Sequence, residues 1–246
     1  MPFSPPRSLI VTFTTAGLLL TGCASGGEDA KRSSAPVAPS LASATAIPSH
    51  AAERVKSALL SADEIASRVR AQPLTVEGLK QKAVPVCADT YTKLPGSAEI
   101  VARQFGPSGR YLGDNYAQVV AIYKDAESAT KAFSAVQRKA TSCKSKGHVP
   151  PRKIKGTKIT TLAYDATWKQ TKDTVSGWTH IRGAEKRTYS PSLSTINVIH
   201  EVYDYAVQGN VVIAALYWER VKPTASARPI ASRATRLLTK QLQKIG

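Results

Sequence analysis

Two runs of β-branched and aromatic residues, 196–207 and 211–219, stand on either side of Gln208-Gly209-Asn210. Alternating patterns flanking so short a break specify an antiparallel hairpin, with Gly209 free to take positive φ in the turn. The runs 158–164 and 177–184 read as further strands, as do 98–106 and 116–124, which are joined by a turn-rich link carrying Gly106-Pro107 and Gly113-Asp114. Helical patterns fall between and around them. Residues 51–60 form the first, and the capping box Ser61-Ala62-Asp63-Glu64 opens a second that runs through Val69, before a loop marked by Pro73 and Gly78. Asp125 caps a third, whose stripe Ala129, Phe133, Val136 and Ala140 has helical spacing and ends near Cys143. From Pro229 a last helix places Ile230, Ala234, Leu237, Leu238 and Ile245 on one face. The expected fold is therefore α+β, an antiparallel or mixed sheet covered by a few helices in a single domain.

The N-terminus is organised differently. Arg7 is the one charged side chain before position 23, and Leu9 to Leu20 is apolar but shorter than the roughly 20 residues a spanning helix needs. Leu20-Thr21-Gly22-Cys23 follows and resembles the lipobox of bacterial lipoproteins. The resemblance implies a diacylglyceryl thioether on Cys23 and cleavage just before it; the alternative is an ordinary signal peptide that happens to end near a cysteine. After the cut, residues 24–50 are mainly Ala, Ser, Pro and Gly, a composition too poor in large apolar groups to offset the entropy of ordering. The expected division is a signal peptide over 1–22, a lipidated cysteine and disordered tether over 23–50, and a domain over 51–246. Loss of Arg7 leaves a formal charge of +16, one below the +17 of the whole chain.

With Cys23 taken by lipid, Cys87 and Cys143 remain, and an isolated pair in an oxidising exterior most often forms a disulfide. Closing so long a loop is worth roughly 4 kcal/mol in the chain-entropy model. No ligand spacing relates the four histidines to either cysteine, so no metal and no cofactor is expected.

Catalytic signatures are absent from the sequence: no Gly-rich phosphate loop, no GxSxG and no HExxH occurs. His200 and Asp204 share a strand face, which reads as an acid/base pair or, more simply, as a polar face. The aromatics Trp168, Trp178, Tyr203, Tyr205, Tyr217 and Trp218 crowd the C-terminal half. Core packing accounts for most of them; a ligand groove built from Trp178, Trp218, Tyr203 and Tyr205 is the functional alternative. Lys144, Lys146, Arg152, Lys153, Lys155 and Lys158 make a basic loop broken by Pro150 and Pro151, either plain solvated surface or an anion-binding patch.

The domain also resembles a known family, the extracellular sensor domain of mycobacterial PknH-type Ser/Thr kinases and its stand-alone lipoprotein relatives in actinobacteria. The residues that carry this are Leu59-Leu60-Ser61-Ala62-Asp63-Glu64-Ile65, Cys87, Tyr116-Ala117-Gln118-Val119-Val120 leading through Asp125 and Phe133 to Cys143, and Gly209-Asn210-Val211-Val212-Ile213. Members often carry a second disulfide near the last hairpin; here Tyr203, Ala214 and Leu216 stand in that region without a cysteine. The resemblance implies a non-catalytic domain with a groove for an extracellular ligand, and carries over no site residue. Two readings follow: a sensor-like or ligand-binding lipoprotein on the outer face of the cytoplasmic membrane, or a cationic envelope protein that engages acidic wall polymers or anionic lipid through charge. Nucleic acid is not an expected partner outside the cell. Both readings need the anchor. Cys23→Ala is expected to leave the protein shed into the medium or held as uncleaved precursor on fractionation; a variant processed and membrane-bound like wild type would contradict the lipobox assignment.

Overall fold

A computed structural model describes residues 49–108, 113–153, 158 and 160–246. Along the chain come α1 (Ala52–Ser57), α2 (Ala62–Ile65), β1 (Val69–Gln72), α3 (Glu77–Lys80), β2 (Val84–Pro85), β3 (Tyr91–Thr92), β4 (Glu99–Pro107) and β5 (Asn115–Ile122). Then follow α4 (Ala126–Thr141), β6 (Lys146–Val149), β7 (Arg152–Lys153), β8 (Thr160–Thr161), β9 (Tyr164–Val175), β10 (Trp178–Tyr189), β11 (Val198–Gln208), β12 (Val211–Val221) and α5 (Arg228–Ile245). Eight strands form one antiparallel sheet in the order β1-β4-β5-β12-β11-β10-β9-β6. The expected α+β class is the observed one.

Helices cover both faces of the sheet. On one, Ala129, Phe133, Val136 and Ala140 of α4 pack on Val119, Ala121, Tyr203, Tyr205, Val212 and Ala214. Asp125 starts α4 by accepting the Ser128 N–H at 2.7 Å. On the other, α5 lays Leu238, Leu242 and Ile245 on Val120, Val211 and Ile213, and Ile230, Ala234 and Leu237 beside Tyr116 and Tyr217. Buried Gln241 of α5 accepts the Leu60 N–H at 2.9 Å and donates to Ala58 O at 3.1 Å, fastening the segment after α1 to the last helix. At the β11–β12 turn Gly209 takes φ 54°, as the hairpin requires.

Several boundaries differ from expectation because strand pairing outweighs local propensity. The capping box at Ser61 forms, but α2 ends at Ile65; Ala66 is extended and Val69 pairs with Pro107 as the start of β1. The long strand in the region of 158–164 is β9, running from 164 to 175, while Thr160–Thr161 pairs only with Arg152–Lys153. The basic stretch 147–156 is not simply a loop, since β6 joins the edge of the main sheet within it. Among the described residues no helix is long and apolar enough to cross a membrane.

Candidate functional site

The face covered by α4 carries the candidate site, and a glycine makes room for it. Trp168 of β9 stands opposite Glu185 of β10, and its indole lies diagonally across Gly183, where a Cβ would sit 2.0 Å from ring carbon Cη2. Glycine inside a strand permits this close approach. The indole meets the ring of Tyr203 at 5.4 Å and so stays down on the sheet rather than rising into solvent. Above it, the Cys87–Cys143 disulfide joins the β2–β3 hairpin to the end of α4, with Cα atoms 6.1 Å apart. Between these parts and β6 lies a cavity of about 250 Å³, whose lining includes the disulfide, Trp168, Ala166, His148 and Glu185, with Lys139 and Lys144.

The hairpin wall is a tight turn in which the Thr90 N–H donates to Cys87 O at 3.0 Å. Its two central residues, Ala88 and Asp89, take φ 50° and 55°. For a residue with a Cβ this left-handed conformation costs roughly 1–2 kcal/mol, so the turn needs fixed partners. They come from the sheet: the Ala88 N–H donates to Glu185 Oε2 at 3.0 Å, and Asp89 accepts from Arg187 Nη1 at 2.7 Å and from the Tyr164 hydroxyl at 3.1 Å.

Behind the cavity, cross-strand register sets Glu185 directly opposite Glu201. Two like charges so placed repel unless a cation stands between them. Arg187 supplies it, with nitrogens 3.2 Å from Glu185, 2.6 Å from Glu201 and 2.7 Å from Asp89, its guanidinium over the Tyr164 ring at 4.9 Å. The Tyr203 hydroxyl lies 2.5 Å from Glu201 Oε2 and 3.0 Å from Glu185 Oε2. Three carboxylates thus share one guanidinium. Burial pushes the Glu201 carboxyl up to about 7; Arg187 opposes that rise, and Glu185 adds to it.

On the opposite face a second ionic group is balanced. The imidazole of His180 sits between Asp204 Oδ1 at 2.9 Å and Asp173 Oδ1 at 2.5 Å, and Arg182 forks onto Asp204 at 2.7 and 3.0 Å. Burial works against the imidazolium, yet the two carboxylates, Asp204 foremost, hold its pKa above 6.5. Asp204 therefore pairs with His180 and Arg182 rather than with His200, and it is buried rather than part of an exposed polar face.

The four-aromatic groove does not form. Trp178 is 0% exposed on the α5 face, stacked on His50 at 5.6 Å. Tyr203 and Tyr205 are buried on the α4 face, the latter donating to Pro85 O at 2.9 Å, and Trp218 is half-buried against the same core. Periodicity assigns each to a face, but the central strands are covered on both faces. The aromatic that lines a cavity is Trp168, and the glycine inside the 177–184 run was its one sequence signal. Of the basic residues, Lys144 lines the cavity; Lys146, Arg152, Lys153 and Lys158 are exposed along β6, β7 and the segment before β8. Cys23 and Lys155 lie outside the described residues.

The two ionic groups make stability pH-dependent in the same direction. Folded Glu201 keeps a proton that the unfolded chain releases near 4.5, so stability falls as pH rises from 4.5 to about 7. The contribution of His180 is complete below 6.5 and is lost as pH rises through its higher folded value. His50 and His200, whose pKa values burial lowers, work the other way below 6.5, so the check is a comparison: between about pH 5.5 and about pH 8.5 wild type is expected to lose more Tm than Glu201→Gln. Equal changes in the two proteins across that range, read by differential scanning fluorimetry, would contradict the Glu201 assignment.

No protein-family model matches the chain, and no curated protein matches it in sequence. Among solved structures, the fold matches the crystal structure of the extracellular domain of PknH from Mycobacterium tuberculosis, with a TM-score of 0.51 at 13% sequence identity, over 81% of this chain and 98% of that one. The likeness is one of fold, and it is the fold that the resemblance in sequence implied.

Proposed function

We propose that the chain is an extracytoplasmic lipoprotein, anchored through Cys23 to the outer face of the cytoplasmic membrane, whose domain binds a small apolar or amphiphilic ligand without catalysis. The observation that carries the reading is the cavity beside the disulfide: an indole and a disulfide give it apolar walls, and Lys139, Lys144, His148 and Glu185 are among its polar lining. Ligand sites are commonly concave, with apolar walls and polar groups that fix orientation; here Trp168, Ala166, Val149 and the disulfide would take the apolar part, and Lys139, Lys144 and His148 a polar end. The shared fold with a kinase's extracellular domain and the disulfide favour an extracytoplasmic setting. The formal charge of +17, with exposed Lys146, Arg152, Lys153 and Lys158, supports a second reading in which surface charge engages acidic wall polymers or anionic lipid.

Gly147 separates the two. It lines the cavity, and a Cβ built on it meets nothing within 4 Å, so Gly147→Phe is the substitution chosen to occupy the space. The chain secreted from Ala24 onward is to be exposed to an envelope lipid and glycan extract and its bound species identified by native mass spectrometry. Wild type is expected to keep a bound small molecule between about 0.1 M and 1 M salt, because burial of apolar surface is not screened. Gly147→Phe should lose it with an unchanged Tm. If the bound species leaves at high salt and Gly147→Phe holds it as well as wild type does, the cavity is not the site and the charged surface stands alone.

A further inference from the structure

Among the described residues, much of the outer edge of β9 has no strand beside it. β6 pairs with β9 only from Tyr164 to Thr167, and the next outward bond is from the Trp168 N–H to Ser145 O at 2.9 Å. There the chain turns up to α4, so β6 begins at Lys146 and the line it would extend is vacant. Among the described residues no strand pairs with the outer side of β9 from Lys169 to Val175. Alternation along the strand fixes the outward groups. Since Trp168 points its N–H outward, Gln170, Lys172 and Thr174 do the same. Beside this edge runs a groove of about 340 Å³, formed on the α4 side by Ala140, Thr141 and Cys143 and on the strand side by Trp168, Gln170 and Lys172.

We propose that this free edge of β9 takes an extended acidic segment of a partner protein as a ninth strand of the sheet. Main-chain bonds to an open edge give affinity in such pairings, and adjoining pockets give side-chain preference. The charge of the edge selects the occupant. Lys169 and Lys172 are exposed on it, and its one acid, Asp173, is already engaged by His180. Lys139 and Lys144 line the neighbouring cavity, which shares Cys143 and Trp168 with the groove. A second copy of the chain fits poorly: antiparallel self-pairing about the middle of the edge sets Lys172 against Lys172, between molecules that are each strongly cationic, +17 for the whole chain and +16 without Arg7.

The test uses a short acetylated peptide of alternating valine and glutamate, its valine–lysine counterpart, and the full chain secreted from Ala24 onward. Fluorescence anisotropy is expected to show saturable binding of the acidic peptide, with hydrogen exchange slowing at the amides of Gln170, Lys172 and Thr174. Lys172→Pro removes an outward N–H that no ladder bond uses, and should weaken binding roughly tenfold or more with little change in Tm. The double variant Lys169→Glu/Lys172→Glu leaves the backbone intact and should shift preference to the basic peptide. Equal binding of both peptides by wild type, exchange unchanged along β9, a double variant that keeps the acidic preference, or sedimentation as a dimer whose own contact protects this edge would each overturn the proposal.

Discussion

Arg187 sets one guanidinium beside three carboxylates, and the geometry around the cavity follows from that ratio of charge. Its position on β10, two residues from Glu185 on the same face, makes it the group that keeps Glu185 and Glu201 together across the strand pair. Its third contact, to Asp89, carries the effect off the sheet into the β2–β3 hairpin. Loss of the cation would leave buried charge uncompensated, a change that typically costs about 3–5 kcal/mol. It would also release the left-handed Ala88-Asp89 turn, whose conformation is held by Glu185 and Arg187. The hairpin, the disulfide it bears and the cavity wall are thus tied to one side chain.

The two faces of the sheet divide structure from site. Under α5 the charges are paired evenly, with His180 and Arg182 against Asp173 and Asp204, and the tryptophan is sealed. Under α4 the charges are uneven, the turn is strained and the aromatic borders open space. Strain and unbalanced burial of this kind persist only where surrounding structure enforces them, and they gather at functional positions. The disulfide joins the end of α4 to the hairpin, so one covalent link borders both the cavity and the groove beside β9.

What was legible in the sequence was whatever depends on neighbours in the chain. The Gly209 turn, the Asp125 cap, the stripes of α4 and α5 and the isolated cysteine pair all stand where local pattern placed them. Long-range pairing was not legible. β9 contains Lys169, Gln170, Thr171, Lys172 and Asp173, a polar run with the composition of a loop, and it is a strand because β10 holds it through the Ser176-Gly177 turn. The same limit explains the site. Nothing local shows that Glu185 will face Glu201, that Asp89 will reach Arg187, or that Trp168 rather than Trp178 will border a cavity. Face assignment follows from alternation, but whether a face is covered depends on helices far away in sequence.

The cavity assignment is tested most directly by 19F NMR of protein labelled with 5-fluorotryptophan. The chain has three tryptophans; Trp168 borders the cavity and Trp178 is sealed on the opposite face, so they serve as probe and internal control. With the Trp168 signal assigned by Trp168→Phe, titration with an envelope lipid and glycan extract is expected to move the Trp168 resonance and leave that of Trp178 in place. A bound extract component that leaves Trp168 unmoved, or that shifts Trp178 instead, would contradict a ligand site beside the disulfide.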